Sequence, residues 1–280
     1  MSTGDAPRQG EITAKHHCHP FESLLVPQGA VGIHWFGQSS FAIKDSKGTI
    51  LLIDPYFPRE RPPEEYVRPI SPLDEATLRT DAVFLTHDHG DHTCMESLLR
   101  IRSAFPLTRY WGPMESIARL REHGFPEDCL STVSAGDRVH VGSMVAHVVW
   151  AKLPEGAPED GIAPPDVIHL GMVLEAGTVR IYVSGDLFNS CARHEAFLGP
   201  IRQLNPDIGL LTSHPTEGEF PYFAGAVELA TRLNLKAAVP AHYDCFIRRT
   251  YDPYQWAAQF PSGGPVPVII PYNEALVYSI

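Results

Sequence analysis

Short apolar runs alternate with polar turns after the first 28 residues. The runs Val31–Phe36, Phe41–Ile43 and Thr49–Ile53 have the length and composition of β-strands. A further run, Ala82–Thr86, is typical of a buried strand, and it ends abruptly at His87. The pattern therefore predicts a strand meander and then a buried strand that leads directly into a polar segment.

The remainder of the chain mixes helical and strand-like spacing. From Met95 onwards, apolar positions recur at intervals of three and four residues, which predicts a helix. Pro113 is typical of a first helical turn and predicts a second helix over Met114–His123. Another helix is predicted over Ala224–Leu233. Strands are predicted at His140–Trp150, Val167–Glu175, Val179–Ser184, Ile208–Thr212, Ala237–Pro240, Val266–Ile270 and Ala275–Ile280. This order indicates an α/β fold in which helices cover sheets.

Length and composition indicate one folded unit. Residues 1–28 are rich in Gly, Pro and His and predict an irregular lead-in, whereas residues 29–280 predict a single domain, since they contain no tandem repeat and no linker. Apolar residues make up 44% of the chain, which is enough to form a sizeable core.

Charge and cysteine content narrow the function classes. The formal net charge of −11 and the lack of a long basic stretch argue against a nucleic-acid partner. The five cysteines are widely spaced and form no C-x-x-C pair, so neither a disulfide framework nor a cysteine zinc site is indicated. No apolar run approaches the roughly 18 residues of a membrane-spanning helix, and the polar N-terminus does not resemble a signal peptide. We therefore expect a cytoplasmic protein without a membrane partner.

The segment Thr86–His92 carries the strongest chemical signal. Three histidines and two aspartates follow one strand end, and imidazole with carboxylate suits zinc, manganese or iron. A tight turn lets His87 and His89 reach one ion while Asp91 and His92 reach a second. A solvated histidine-rich loop is the alternative, but packing has no use for so many ionisable groups at a strand end.

Two distant residues repeat this arrangement. Asp186 follows the strand over Val179–Ser184, and His242 follows the strand over Ala237–Pro240. Taken alone, Asp186 is equally typical of a turn or a helix cap, and His242 of a hydrogen-bonded turn. Because strand ends bring their loops to one site, we expect both residues to join the histidine segment.

Several segments in order along the chain carry a family resemblance. The chain resembles the metallo-β-lactamase superfamily, and within it the branch related to L-ascorbate-6-phosphate lactonase, over about residues 31–250. The resemblance implies a four-layer αββα sandwich with metal ions at one edge. The matching segments are His34–Phe41, Leu52–Pro55, Thr86–His92, Trp111–Pro113, Val183–Asp186 and Val239–Asp244.

The resemblance also implies a set of metal ligands. One ion is held by His87, His89 and a third histidine, and Asp186 lies between the two ions. The second ion is held by Asp91, His92 and His242. Asp54 is implied as a carboxylate that holds the histidine loop, although it is also a residue that forms a turn before Pro55.

The third histidine has two candidates. His169 stands at the start of a predicted strand, about where the superfamily places this ligand, but a histidine there can also face the core or solvent. His214, after the strand over Ile208–Thr212, is the rival. Gln38 stands where relatives often carry histidine or cysteine. The cluster His16–His19 is typical of a mobile tail and, as a weaker alternative, of incidental metal binding.

These residues predict a metal-dependent hydrolase. We expect two divalent ions, zinc or manganese with iron as an option, which generate a metal-bound hydroxide. The expected substrate is a small anionic molecule such as a phosphorylated sugar lactone, and Asp91 is the expected proton acceptor. A phosphodiesterase with the same centre, and a non-hydrolytic iron oxygenase or binding module, are the alternatives. The apolar C-terminal run and Tyr251–Pro261 offer surface for a homo-oligomer.

Overall fold

The structure, a computed structural model, describes residues 18–216 and 218–280. In this part of the chain two sheets of seven strands lie face to face. In the first sheet the first four strands in space are antiparallel and the others continue in parallel. Its strands are, in spatial order, β14 (Glu274–Tyr278), β1 (Val31–Trp35), β2 (Phe41–Lys44), β3 (Ile50–Ile53), β4 (Ala82–Phe84), β5 (Arg109–Gly112) and β6 (Leu130–Thr132).

The second sheet repeats this mixed arrangement. Its strands are, in spatial order, β13 (Val266–Pro267), β12 (Ala237–Ala241), β11 (Ile208–Thr212), β10 (Val179–Val183), β9 (Leu170–Ala176), β8 (Met144–Trp150) and β7 (Arg138–Val141). The strands β10 to β13 are parallel, and β7 to β10 are antiparallel. The carboxyl ends of neighbouring parallel strands meet at one sheet edge, which gathers the loops that follow them.

Helices cover the outer face of each sheet. Residues of α2 and α3 pack with Phe21 of α1 on the first sheet, and residues of α4, α5 and α6 pack on the second. A third cluster, made of inward-facing strand residues, fills the space between the sheets. These four layers confirm the predicted αββα sandwich. The helices are α1 (Pro20–Ser23), α2 (Met95–Ala104), α3 (Met114–Glu122), α4 (Glu195–Gln203), α5 (Phe223–Arg232) and α6 (Pro253–Ala257).

The single strand predicted over His140–Trp150 is wrong. The structure forms a hairpin there, with Val141 opposite Met144 and a two-residue turn between them. Gly142 has a φ of +60°, and a Cβ at this position would lie 2.2 Å from Thr49 Oγ1, so the turn requires glycine. A Gly-Ser pair between apolar runs is a hairpin signal, and it was available in the sequence.

Helix α4 lies in a region for which no element was predicted. Gly199 and Pro200 are helix-breaking residues and lie inside it, which conceals its pattern. The helix nevertheless buries Phe197, Leu198 and Ile201 against the second sheet. Tertiary packing therefore overrides the local propensity.

Candidate metal centre

The histidine loop, Thr86–His92, follows β4 and is held in place by Asp54. The Asp54 carboxylate is fully buried and accepts hydrogen bonds from the Thr86 amide (2.7 Å) and the Thr86 hydroxyl (2.6 Å). Its Oδ2 also lies 2.7 Å from His92 Nδ1. A neutral His92 that donates from Nδ1 to Asp54 presents its Nε2 lone pair to another partner.

Three imidazoles form a first half-site: His87, His89 and His169. Their ligand atoms all lie within 4.8 Å of one another, and His87 Nε2 is 3.0 Å from His89 Nδ1. The rings of His87 and His169 stack with centroids 4.0 Å apart. His169 precedes β9, whose first residues pair beside the end of β10, so the second sheet delivers it to the histidine loop.

Asp91, His92 and His242 form a second half-site. Their ligand atoms also lie within 4.8 Å of one another. The Asp91 Oδ2 atom is 3.9 Å from His92 Nε2 and 3.7 Å from His242 Nε2. His242 follows β12 with a φ of +65°, a strained backbone conformation that turns its ring into the site.

Asp186 lies between the two half-sites. Its Oδ2 is 3.7 Å from His87 Nε2 and 3.4 Å from His242 Nε2, and its Oδ1 is 3.5 Å from His92 Nε2. Gly185 before it has a φ of +60°, and a Cβ there would lie 2.5 Å from the Leu170 carbonyl oxygen. Only glycine therefore lets the chain bring Asp186 this close to both clusters.

The donor set fits divalent ions. Among the described residues, both ring nitrogens of His169 and Oδ1 of Asp186 are buried without a hydrogen-bond partner. Such buried polar atoms are costly unless a ligand or ion completes them. Imidazole nitrogens with carboxylate oxygens around them are the donors that zinc, manganese and iron prefer.

The ionisation of His87, His169 and Asp186 also suits a cation. Burial holds the pKa of His87 well below its usual value and lowers the pKa of His169 to about 3, so both rings are neutral ligands. Burial alone would raise the pKa of Asp186, but His242 and His92 hold it well below the usual range. The carboxylate therefore stays ionised between the two clusters.

Asp166 contacts the first half-site from outside. Its Oδ2 lies 3.0 Å from His89 Nε2, and this contact turns the other ring nitrogen, Nδ1, towards His87. The Asp166 side chain is 70% exposed, whereas Asp54 beneath the second half-site is fully buried. Asp166 was not among the predicted site residues, and its position three residues before His169 is the signal that could have identified it.

An open cavity of about 520 Å³ lies over the two clusters. Its lining combines Asp91 and Asp186 with two arginines and two aromatic residues. Arg249 and Lys152 both contact Glu219, at 3.5 and 3.1 Å, while Arg248 is exposed. The lining residues are Tyr56, His89, Gly90, Asp91, Asp186, Glu219, Phe246, Arg248 and Arg249.

Of the other candidate histidines, His214 and His19 belong to neither ligand triad among the described residues. The ring of His214 packs 6.0 Å from the ring of Tyr251. His16 and His17 lie outside the described residues. The His19 Nδ1 atom accepts a hydrogen bond from the Phe21 amide at the start of α1.

Comparison with known proteins places the chain in a family. Residues 49–243 match the model of the beta-lactamase superfamily domain. The chain is 27% identical over 223 residues to the UPF0173 metal-dependent hydrolase of Myxococcus xanthus, covering 78% of this chain and 72% of that protein.

Solved structures share the fold. Igni18, a metallo hydrolase from Ignicoccus hospitalis, superposes with a TM-score of 0.68 at 19% identity, covering 90% of this chain and 99% of that one. An isothiocyanate hydrolase from Delia radicum gut bacteria also has a TM-score of 0.68, at 15% identity, covering 89% and 99%. No helix in the described ranges is long and apolar enough to cross a membrane.

Proposed function

The chain belongs to the metallo-β-lactamase superfamily of metal-dependent hydrolases, and we propose that it holds two divalent ions and hydrolyses a small anionic ester. The observation that carries this proposal is the position of Asp186 within 3.7 Å of His87, His92 and His242, members of both half-sites. A carboxylate shared by two ligand triads is an arrangement that suits a two-ion centre.

The residues of each half-site have distinct tasks. His87, His89 and His169 would hold one ion, and Asp91, His92 and His242 the other, with Asp186 shared. When bound, divalent ions supply a water whose pKa falls towards about 7 and a clamp for developing negative charge. Asp54 keeps the His92 lone pair directed into the site through its contact with Nδ1.

Asp91 is our candidate for the proton acceptor. It lines the cavity, and the three-quarters burial of its side chain limits competing water. Although burial alone raises the pKa of Asp91, the neighbours His92 and His242 lower it overall, so the carboxylate is ionised at neutral pH. We expect Asp91→Asn to lose about a hundredfold or more in kcat. Full metal content with full activity in this variant would refute the proton role.

Arg248 supports an anionic substrate. It is exposed on the wall of the cavity, whereas Arg249 is engaged by Glu219. A guanidinium at this position can form a charge-assisted hydrogen bond to a phosphate or carboxylate of the substrate. The lactone ring itself rests on the sequence resemblance to lactonases, and a phosphodiester is the second substrate class that the same centre can hydrolyse.

The test is hydrolysis by protein reconstituted with manganese or zinc. The panel pairs phosphorylated with neutral sugar lactones and includes bis-aryl phosphodiesters. We expect turnover of a phosphorylated substrate, and in Arg248→Gln a KM raised about tenfold for that substrate alone. The exposed Arg138 on β7 gives the control variant Arg138→Gln. Silence on the whole panel with two ions bound would refute the hydrolysis of these substrates.

A further inference from the structure

Gln38 occupies a fixed backbone position beside the second half-site. It follows β1 with a φ of +52°, directly after Gly37 at +97°. Its backbone N–H donates to the Tyr243 backbone carbonyl at 2.9 Å, and its backbone carbonyl accepts from the His242 backbone N–H at 2.9 Å. The Trp35 indole donates to the same carbonyl at 3.0 Å. These bonds hold the Gln38 backbone in place, so that only its side chain can move.

The Gln38 side chain reaches the donor atoms of the second half-site. Its Nε2 lies 2.8 Å from Asp91 Oδ2, 3.0 Å from His242 Nε2 and 3.3 Å from His92 Nε2. The residue is only 2% exposed. One amide nitrogen therefore contacts all three ligand atoms of this triad.

The orientation of the amide follows from its other end. The Ser39 backbone N–H donates to Gln38 Oε1. Rotating the amide by half a turn would set its NH₂ group against this N–H, so two donors would face each other. The nitrogen of Gln38, not its oxygen, is consequently directed at the triad.

The triad offers acceptors to this nitrogen. The Asp91 carboxylate accepts through Oδ2, which lies 2.8 Å from Gln38 Nε2, and the imidazole nitrogens of His92 and His242 lie beside the same amide. A divalent ion would bind through the same lone pairs. Any group that uses those lone pairs in the folded protein must be displaced before an ion binds, which weakens the ion's apparent affinity.

The first half-site is built differently. Its described contacts include the 3.0 Å approach of His87 Nε2 to His89 Nδ1, the contact of His89 with Asp166 and that of His87 with Asp186, and they include no side-chain amide. The His169 ring nitrogens have no hydrogen-bond partner among the described residues. An ion binding there has no amide to displace.

We propose that Gln38 is a built-in competitor of the cation at the second half-site, which makes this half-site bind a divalent ion more weakly than the first. The inference rests on the proposed function, because it assumes that both triads hold ions. Loss of two or more hydrogen bonds on displacement predicts a second-ion affinity lowered about tenfold or more. The protein would then hold one ion at low metal concentration and two at high concentration.

The experiment compares two variants of the full-length, chelator-treated protein. Gln38→Gly removes the side chain and accepts the positive φ, while Gln38→Met keeps the length of the side chain without donors. Calorimetric titration with Zn²⁺, and separately with Mn²⁺, measures the affinity of each equivalent. Ser39→Ala is the control, because the Ser39 hydroxyl is buried without a partner among the described residues.

We expect two unequal sites in the wild type and in the control. In both Gln38 variants the second equivalent should bind about tenfold more tightly, while the first is unchanged. Thermal unfolding with chelator should occur at a lower temperature in Gln38→Met than in the wild type, since the hydrogen bonds donated by the Gln38 NH₂ group, including the one to Asp91, are lost.

Unchanged or weaker binding of the second ion in both variants would overturn the proposal. Weaker binding would instead make Gln38 a ligand through Oε1. If neither the wild type nor any variant bound an ion, the proposed metal centre itself would be refuted. Two ions bound with the same affinities in all four proteins would overturn only the role of Gln38.

Discussion

The two half-sites both contact Asp186 but differ in their other ligands and in how these are supported. The first is made of three imidazoles, and its outer partner, Asp166, is an exposed carboxylate on a loop. The second includes the carboxylate of Asp91, is supported by the fully buried Asp54, and has the Gln38 amide in contact with its ligand atoms. The proposed centre would thus combine a half-site that binds its ion readily with one whose ligand atoms are already hydrogen-bonded within the protein.

The strongest challenge to this comparison removes the residue that both half-sites share. In Asp186→Asn a neutral amide replaces the ionised carboxylate beside His87, His92 and His242. We expect both ions to bind more weakly and kcat/KM to fall about a thousandfold or more. Metal analysis and hydrolysis assays test this, with the exposed Glu122→Gln as control. Loss of only one ion would show that Asp186 belongs to a single half-site.

Removing one ligand from each half-site should separate them. We expect His169→Ala and His242→Ala each to bind one equivalent of metal instead of two, with activity reduced about a hundredfold or more. The remaining equivalent should bind tightly in His242→Ala and weakly in His169→Ala. Calorimetric titration measures both. Equal residual affinities would remove the difference between the half-sites.

A pH titration of the metal-free protein measures how far acid alone destabilises the fold, so that unfolding can be distinguished from loss of metal. Burial lowers the pKa of His34 to about 4 and outweighs the hydrogen bond to Asn273, which raises it. The unfolded chain therefore binds more protons between pH 6.5 and 4, so the free energy of unfolding falls as pH falls through this range. The shift corresponds to about 3 kcal/mol at most.

Urea unfolding of chelator-treated protein at pH 7 and pH 4.5 measures this loss. In His34→Gln we expect a smaller decrease between the two pH values, because the titrating group is gone. An equal decrease in both proteins would assign the acid sensitivity to other groups.

The smallest expected effect is that of Asp166→Asn. Because Asp166 is 70% exposed, solvent screens its contact with His89, and we expect the first-ion affinity to fall about tenfold at most. The second-ion affinity should not change. Asp160→Asn is the matched control on the same loop, since Asp160 contacts His194 and not the centre. A comparable change in the second ion would show that the loop supports both half-sites.

Much of the fold could be predicted from local patterns. The strand over Ile208–Thr212 was predicted with the bounds that the structure has, because it is apolar throughout and followed by polar residues. Strands β5 and β6 were not predicted, since short runs such as Leu130–Thr132 carry little periodicity. Their pairing depends on the parallel neighbours that the fold supplies.

Most of the predicted site residues were identified because they follow the end of a strand, whereas His169 and Asp54 were expected from the family resemblance. The histidine loop, Asp186 and His242 follow apolar strands, and the structure brings all of them together, although their roles as ligands remain predictions. The contacts of Gln38 could not be predicted, because they depend on a positive φ and on a partner segment 204 positions away. Local sequence carries no information on such pairings.

The main-chain bridge between Gln38 and Tyr243 has a consequence for the order of folding. It joins the turn between β1 and β2 to Tyr243, which follows β12, so most of the chain lies between its partners. Closing so long a loop costs chain entropy that is recovered only when both sheets have docked. The second half-site is therefore expected to assemble late, after the hydrophobic layer between the sheets is complete. A nascent chain would acquire its metal-binding geometry only once β12 has been synthesised.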